Sequence, residues 1–403
     1  MGSDPIFSVP NLLILAHIFS MMGFSTYPAL LPPLQAAWQL SNAEAGIIGS
    51  AFFVGYIGTV SFWTALTDRL DGRWVYAAGS VFALVGCAGF GIAASGFASA
   101  CVFQALLGVG VAGTYMPGLR LLSDVAHGPA MSRYIAFYTA FFGVGAALSF
   151  ALAGWIAPRA GWPAAFVFCA SGSAVSGLMV FLSLAPKKPA GASHSILFPL
   201  AAWRRVIANR ASLGYALGYG VHCLELFGSR GWMVAFLAFA AGIGSAGSSP
   251  WSAATIAAVV NLAAVPASIL GNEMAIRLGR RRWILIVMSS SALVGVALAF
   301  SAPLHWAIVI AILIAYAMLV MAESATLTAG YVASAPVELR GAAMGLYSLI
   351  GFGGGMLGPA VFGAALDFAG GQGRVAAWAS AYAAIGAGCF LAPLAVRLFR
   401  GRP

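Results

Sequence analysis

Residues Tyr215–Trp232 read YALGYGVHCLELFGSRGW and lie inside a long apolar run that still carries His222, Glu225 and Arg230 within nine residues. About 20 apolar residues in a helix span a bilayer. Ionisable groups at that depth are expensive, so they face a cavity, a partner or both. The surrounding chain supports a membrane setting for this stretch: 61% of the 403 residues are hydrophobic and 7% are charged. So little polar surface cannot coat a water-soluble globule of this size, and the composition points to a polytopic all-α membrane protein.

The same length rule predicts twelve spans, at 8–34, 43–66, 74–95, 99–123, 133–156, 163–184, 211–240, 251–273, 283–301, 305–332, 341–366 and 376–398. They fall into two six-helix bundles, 1–185 and 211–403, joined by a linker over 186–210. Seventeen of the 20 basic residues lie in loops on the side that also holds both termini; Arg159 and Arg374 lie opposite, and Arg230 within a span. Basic loops stay cytoplasmic, so both termini are expected in the cytoplasm of a bacterial-type inner membrane. MGSDPIFSVPNLL lacks the basic region and cleavage site of a signal peptide, so the first run is expected to be retained. In the linker, AWRRVIANR (202–210) reads as a basic amphipathic segment lying at the membrane surface.

Several function classes are disfavoured by the same reading. The charge of +10 sits in loops between apolar runs, which argues against a nucleic-acid partner. Cys87, Cys101, Cys169, Cys223 and Cys389 are single residues in apolar segments, without metal-ligand or disulfide spacing. There is no HExxH or GxSxG, and Lys187 and Lys188 are the only lysines, so no phosphate-binding P-loop exists. The chain is read as a non-enzyme needing no cofactor or metal and functioning as a monomer.

The two halves echo each other. Arg69-Leu70 and Arg277-Leu278 are 208 residues apart, and Arg133 and Arg340 are 207 apart. His17 to Gly23 and His222 to Gly228 share HxxxxxG at a separation of 205. Three matches at nearly one offset suggest a parallel duplication, and carriers built from such repeats bind substrate near the midplane.

The loop TALTDRLDGRW (64–74) resembles the G-x-L-a-D-R-x-G-R-R signature of the major facilitator superfamily. Asp68, Arg69 and Arg73 match, whereas Thr64 and Asp71 stand where Gly is usual. GNEMAIRLGRRR (271–282), with Glu273 and Arg277, is similar to the second copy of that motif. PGLRLLSDV with SRYIAFY (Arg120, Asp124, Arg133) and ELRGAAMGLY (Arg340) resemble the superfamily's elements around helices 4–5 and 10–11. The resemblance implies alternating access, with two bundles rocking about a cavity lined by helices 1, 4, 7 and 10. It also implies that these charges form a cytoplasmic gate, with Asp68 pairing Arg133 or capping a helix; the alternative is that they only mark topology.

Departures narrow the branch. Gln104 in FQALLGVG stands where drug/proton antiporters carry Arg, and Tyr138–Gly154 has no Pro. The Gly-x-x-x-Gly-Pro present, Gly354 to Pro359, falls in helix 11. Helices 2 and 8 lack the mid-depth Arg of nitrate/nitrite porters. GTYMPGLR and the helix 7 stretch are similar to the cyanate-permease-like branch.

For a helix starting near Ala211, Glu225 is about 20 Å in, near the bilayer centre. His222 is one turn away on a similar face, with Tyr219 beyond it. A buried Glu and a His can exchange a proton near neutral pH, so the two read as a proton-coupling pair or as a structural lock on helix 7. Arg230, roughly 140° round the helix from Glu225, is the candidate for a substrate carboxylate, with an ion pair or snorkelling as rival readings. Glu323, with Tyr316 at i−7, is the second proton-site candidate or a structural hydrogen-bonding group. His17, Ser20, Tyr27, Tyr115, Met116, Tyr138, Asn261 and Tyr347 complete a polar-aromatic set, each alone equally readable as packing. The leading expectation is a proton-coupled secondary carrier of a small polar or anionic organic solute. Its rivals are an exporter of amphipathic drugs, a soft-metal carrier using Met318 and Met321, and a transport-inactive sensor.

Overall fold

The computed structural model describes residues 8–126, 129–187, 199–244, 249–336 and 339–398. Expectations for Lys188, Glu338, both extreme termini and the rest of the linker fall outside them, as does the side chain of Arg340. Among the described residues there is no strand. The helices are α1 (Val9–Ser20), α2 (Thr26–Ala29), α3 (Leu31–Trp38), α4 (Asn42–Leu66), α5 (Gly72–Ala93), α6 (Phe97–Val125), α7 (Pro129–Ser183) and α8 (Leu200–Ala208). They continue as α9 (Arg210–Ile243), α10 (Ala253–Leu278), α11 (Arg280–Ser301), α12 (Trp306–Ala322), α13 (Ser324–Ser334), α14 (Arg340–Phe368) and α15 (Val375–Leu398).

Nine helices among the described residues are long and apolar enough to cross a membrane, counting α12 and α13 together. The chain is thus a multi-pass all-α membrane protein. Four expected spans take a different local form. The run 8–34 is broken into α1, α2 and α3, where Pro28, Pro32 and Pro33 remove backbone donors and restrict the residues before them. The spans expected at 133–156 and 163–184 form the 55-residue α7, interrupted at Gly161 with φ 82° and ψ 162°. Glycine reaches that conformation cheaply, and Pro163 follows it. The run 305–332 breaks at Glu323, the single residue between α12 and α13.

The helices pack as two compact units, one comprising residues up to Leu30 and from Ala51 into the linker, the other Leu31–Ser50 and the chain from Pro199 onward. In the first, Leu13, Ala16, Tyr76, Leu121, Leu122, Tyr138 and Val180 share a buried cluster. In the second, α9 and α14 approach so closely that a Cβ on Gly354 would stand 1.9 Å from the Gly220 carbonyl oxygen. Small residues allow this contact, which van der Waals packing must supply where lipid is as apolar as the helix surface.

The amphipathic segment of the linker forms α8. Trp203 and Val206 are buried with Ala216, Tyr331, Ala343 and Tyr347, and the Trp203 indole donates to the Ala342 carbonyl at 3.0 Å. Part of its apolar face docks on protein, while Leu200 and Ile207 remain exposed.

Candidate functional site

In the second unit, α9 carries Glu225 into a junction of four helices. Glu225 Oε1 accepts from Tyr316 OH of α12 at 3.1 Å, and Oε2 accepts from Ser291 Oγ of α11 at 2.9 Å and Cys389 Sγ of α15 at 3.0 Å. His222, one turn earlier, turns to another partner: its Nδ1 lies 2.9 Å from Glu323 Oε1. His222 and Glu225, read as a pair on one face, thus take different hydrogen-bond partners. Their spacing puts the two residues on neighbouring positions of one helix face, but the side chains diverge to different helices. Tyr316, expected to share a face with Glu323, donates its hydroxyl to Glu225. His222, Glu225 and Glu323 are all buried.

An aromatic stack adjoins this network. Tyr219 stacks on Tyr347 with centroids 4.0 Å apart, Tyr347 on Tyr331 at 4.6 Å, and Tyr219 on His222 at 5.7 Å. Thr328 Oγ1 and Tyr347 OH share a 3.0 Å hydrogen bond. Arg230 is 9% exposed, and its Nη2 lies 3.6 Å from Met321 Sδ. Among the described residues no carboxylate comes within 4.0 Å of it. A thioether is a weak acceptor, so this guanidinium retains capacity for a stronger one. Asn261 turns inward on α10, donating to Ala257 O at 2.8 Å, with its Oδ1 unpartnered.

The first unit holds a related arrangement. His17 is fully buried and stacks on Tyr138 with centroids 4.1 Å apart; Tyr115 lies at 5.3 Å, and neither imidazole nitrogen has a hydrogen-bond partner. Tyr138 OH donates to Tyr115 O at 3.1 Å, and Ser20 Oγ to His17 O at 2.8 Å. Each unit thus places a histidine of the shared HxxxxxG on a tyrosine stack. Tyr27 packs elsewhere, 6.0 Å from Phe90, and Met116 is half-buried outside the stack.

The basic loops form a separate set. Asp68 Oδ1 pairs with Arg120 Nη1 at 3.1 Å instead of the expected Arg133, which is exposed. Asp124, one turn beyond Arg120, takes Arg120 Nε at 3.8 Å and Lys187 Nζ at 3.0 Å. Asp71, standing where the motif has Gly, caps α5 by accepting from Arg73 N at 3.0 Å and holds the Arg73 guanidinium at 2.9 Å. Burial alone would raise the Asp71 pKa, but hydrogen bonds from the Arg73 side chain and from the Arg73 and Lys187 backbone outweigh it and hold the carboxyl below its ordinary range. Arg73 also donates to Leu184 O at 3.0 Å. Arg69 is exposed, and Arg277 pairs with Glu273 one turn away at 3.2 Å.

Reading the sequence missed Ser291 and Cys389 as partners of Glu225, and Met321 as the neighbour of Arg230. The Ser289-Ser290-Ser291 run was a usable signal, since consecutive hydroxyls are uncommon in a span, whereas Cys389 reads as a small apolar residue.

The chain belongs to the Major Facilitator Superfamily, whose profile matches residues 13–359. It is therefore a membrane transporter by family, not an enzyme. It is 29% identical over 158 residues to the probable 4-methylmuconolactone transporter of Cupriavidus pinatubonensis, a match covering 37% of this chain and 35% of that protein. The chain thus spans about a third of that relative's length in the match. The fold is similar to a bacterial homolog of the human lysosomal transporter Spinster in an inward-facing, unoccupied conformation, with TM-score 0.77, 16% identity and 100% of both chains covered. It is also similar to the nucleoside transporter NupG, with TM-score 0.73, 15% identity and 97% and 100% of the two chains covered.

Proposed function

We propose that the protein is a proton-coupled secondary carrier working by alternating access, which moves a small organic acid across the cytoplasmic membrane with both termini in the cytoplasm. One observation carries this reading. A buried guanidinium, Arg230, whose one hydrogen-bond contact among the described residues is a thioether, shares α9 with His222 and Glu225, and His222 in turn meets the buried Glu323 from the α12–α13 junction. Charge at this depth is retained where it binds ligand or moves protons. A planar fork of donors suits a carboxylate, and the Tyr219–Tyr347 stack suits a flat, unsaturated body beside it. 4-Methylmuconolactone, named for the relative, has that chemistry: an unsaturated lactone ring bearing a carboxylate.

The test is uptake of labelled 4-methylmuconolactone and related ring-bearing carboxylates into proteoliposomes, with and without an imposed pH gradient. Accumulation that collapses when the gradient is dissipated supports the reading. Uptake indifferent to the gradient removes the coupling. Arg230→Gln is expected to raise the half-saturating concentration at least tenfold, and an unchanged value removes Arg230 from the binding role.

A further inference from the structure

Glu225 and Glu323 are both buried carboxyls of the second unit, and their surroundings differ in a way that separates their roles. Each oxygen of Glu225 has a donor: Tyr316 OH on Oε1, and Cys389 Sγ and Ser291 Oγ on Oε2. Ser291 Oγ is also 2.9 Å from the Met288 carbonyl. Even with that hydroxyl turned away, one donor remains for each oxygen. Such a shell favours a fixed carboxylate and ties α11, α12 and α15 to α9.

Glu323 has one partner. Its Oε1 meets His222 Nδ1 at 2.9 Å, and its Oε2 is the one buried carboxylate oxygen among the described residues with none. An acceptor without a donor in an apolar interior is costly, and a proton arriving on Oε2 cancels the charge that makes it so. The position of Glu323 adds an independent argument. It is the break between α12 and α13, and the Ala322 carbonyl beside it accepts from the Trp283 indole of α11 at 3.1 Å. Gly271 of α10 crosses at the same place, where a Cβ would stand 1.9 Å from that oxygen. A proton gained here acts at a joint in the helix, whereas Glu225 lies within the unbroken α9.

Resting on the proton-coupled reading above, we infer that Glu323, paired with His222, takes and gives up the coupling proton, while Glu225 is a positioning carboxylate. The step forms one O–H bond at Glu323 Oε2 when a hydronium ion gives up its proton there and breaks that bond when the proton returns to water, while His222 Nδ1 stays on Oε1 at 2.9 Å. The titratable and charged groups around Glu323 are His222, Cys223, Glu225 and Arg230 from α9 and Cys389 from α15. α10 and α11 bring Gly271 and Trp283, which do not titrate.

Infrared difference spectra of the purified full-length protein across a pH titration test this without any substrate, by reading the C=O stretch of a protonated carboxyl. The expected result is a band that titrates in wild type, persists in Glu225→Gln and is lost in Glu323→Gln. Where Glu323→Gln does not fold, Glu323→Asp is expected to move the band and His222→Gln to move its titration midpoint. A band lost in Glu225→Gln and kept in Glu323→Gln overturns the inference, as does a wild type with no titrating carboxyl band. The uptake assay separates the two claims: a band that titrates at Glu323 in a carrier indifferent to the pH gradient sinks the coupling and leaves the proton site standing.

Discussion

Asp367, at the end of α14, accepts from the Asn42 side-chain amide at 2.7 Å and from the Asn42 backbone N–H at 3.3 Å, across 325 residues of sequence. Its other oxygen accepts from Ala43 N at 2.7 Å. Ser41 and Glu44 complete the cap locally: Ser41 Oγ accepts from Glu44 N at 3.2 Å while Glu44 Oε2 accepts from Ser41 N at 2.9 Å. The free N–H groups that open α4 are thus divided between a capping box and a carboxylate from another helix, which also meets the positive end of the helix dipole. Asp367→Ala is expected to destabilise the protein by about 1 kcal/mol, the usual cost of a lost cap. Thermal unfolding in detergent reads this, and Asp367→Asn, keeping one acceptor oxygen, should fall between.

Tyr316→Phe removes the donor on Glu225 Oε1 while keeping the ring. Hydrogen bonds between membrane helices are worth roughly 0.6 kcal/mol on average, up to about 2. The expected loss is within that range, and a comparable loss is expected for Ser291→Ala. A double mutant of Tyr316→Phe with Glu225→Gln should lose less than the sum of the singles, since both remove one interaction. Strict additivity would show that Tyr316 and Glu225 do not interact.

Asp71 carries a pH dependence with a definite sign. Its carboxyl is held below the ordinary range in the folded state. Its contribution to stability is therefore present above the unfolded carboxylate value, about pH 4, and lost as pH falls through the lower folded value. The stability gap between wild type and Asp71→Asn should be constant at neutral pH and narrow as the medium is acidified below about pH 4. A gap that widens on acidification would contradict the Asp71–Arg73 geometry.

Gly354→Val places side-chain atoms where α14 and α9 leave no room, since even a Cβ would lie 1.9 Å from Gly220 O. Overpacking of this kind costs about 1–3 kcal/mol or more. The expected outcome is a lower yield of folded protein and a lower melting temperature. Gly353→Val, one residue earlier, meets no atom within 4 Å and serves as the control.

The spans and the family were legible because apolar length and the charged loops are local properties, readable without knowing what packs where. His222, Glu225, Arg230 and Glu323 stood out for the same reason, since charge is rare in an apolar run. Their pairing was not legible. The break at Glu323 has no Pro or Gly of its own; beside it the Trp283 indole donates to the Ala322 carbonyl and Gly271 comes close. Ser291 and Cys389 reach Glu225 only because α11 and α15 present those faces to α9, a tertiary choice that no local periodicity records. Asp68 met Arg120 instead of Arg133 through a similar choice at the end of α6.

The break at Gly161 leaves the chain almost no connecting segment between the two arms of α7. Backbone there is committed to helix on both sides, so it offers a protease little extended chain to grip and gives an inserted tag nowhere to loop out. Accessible handles for labelling or capture should therefore be sought away from residues 158–163, and a reporter placed there would disturb the stagger of both arms at once.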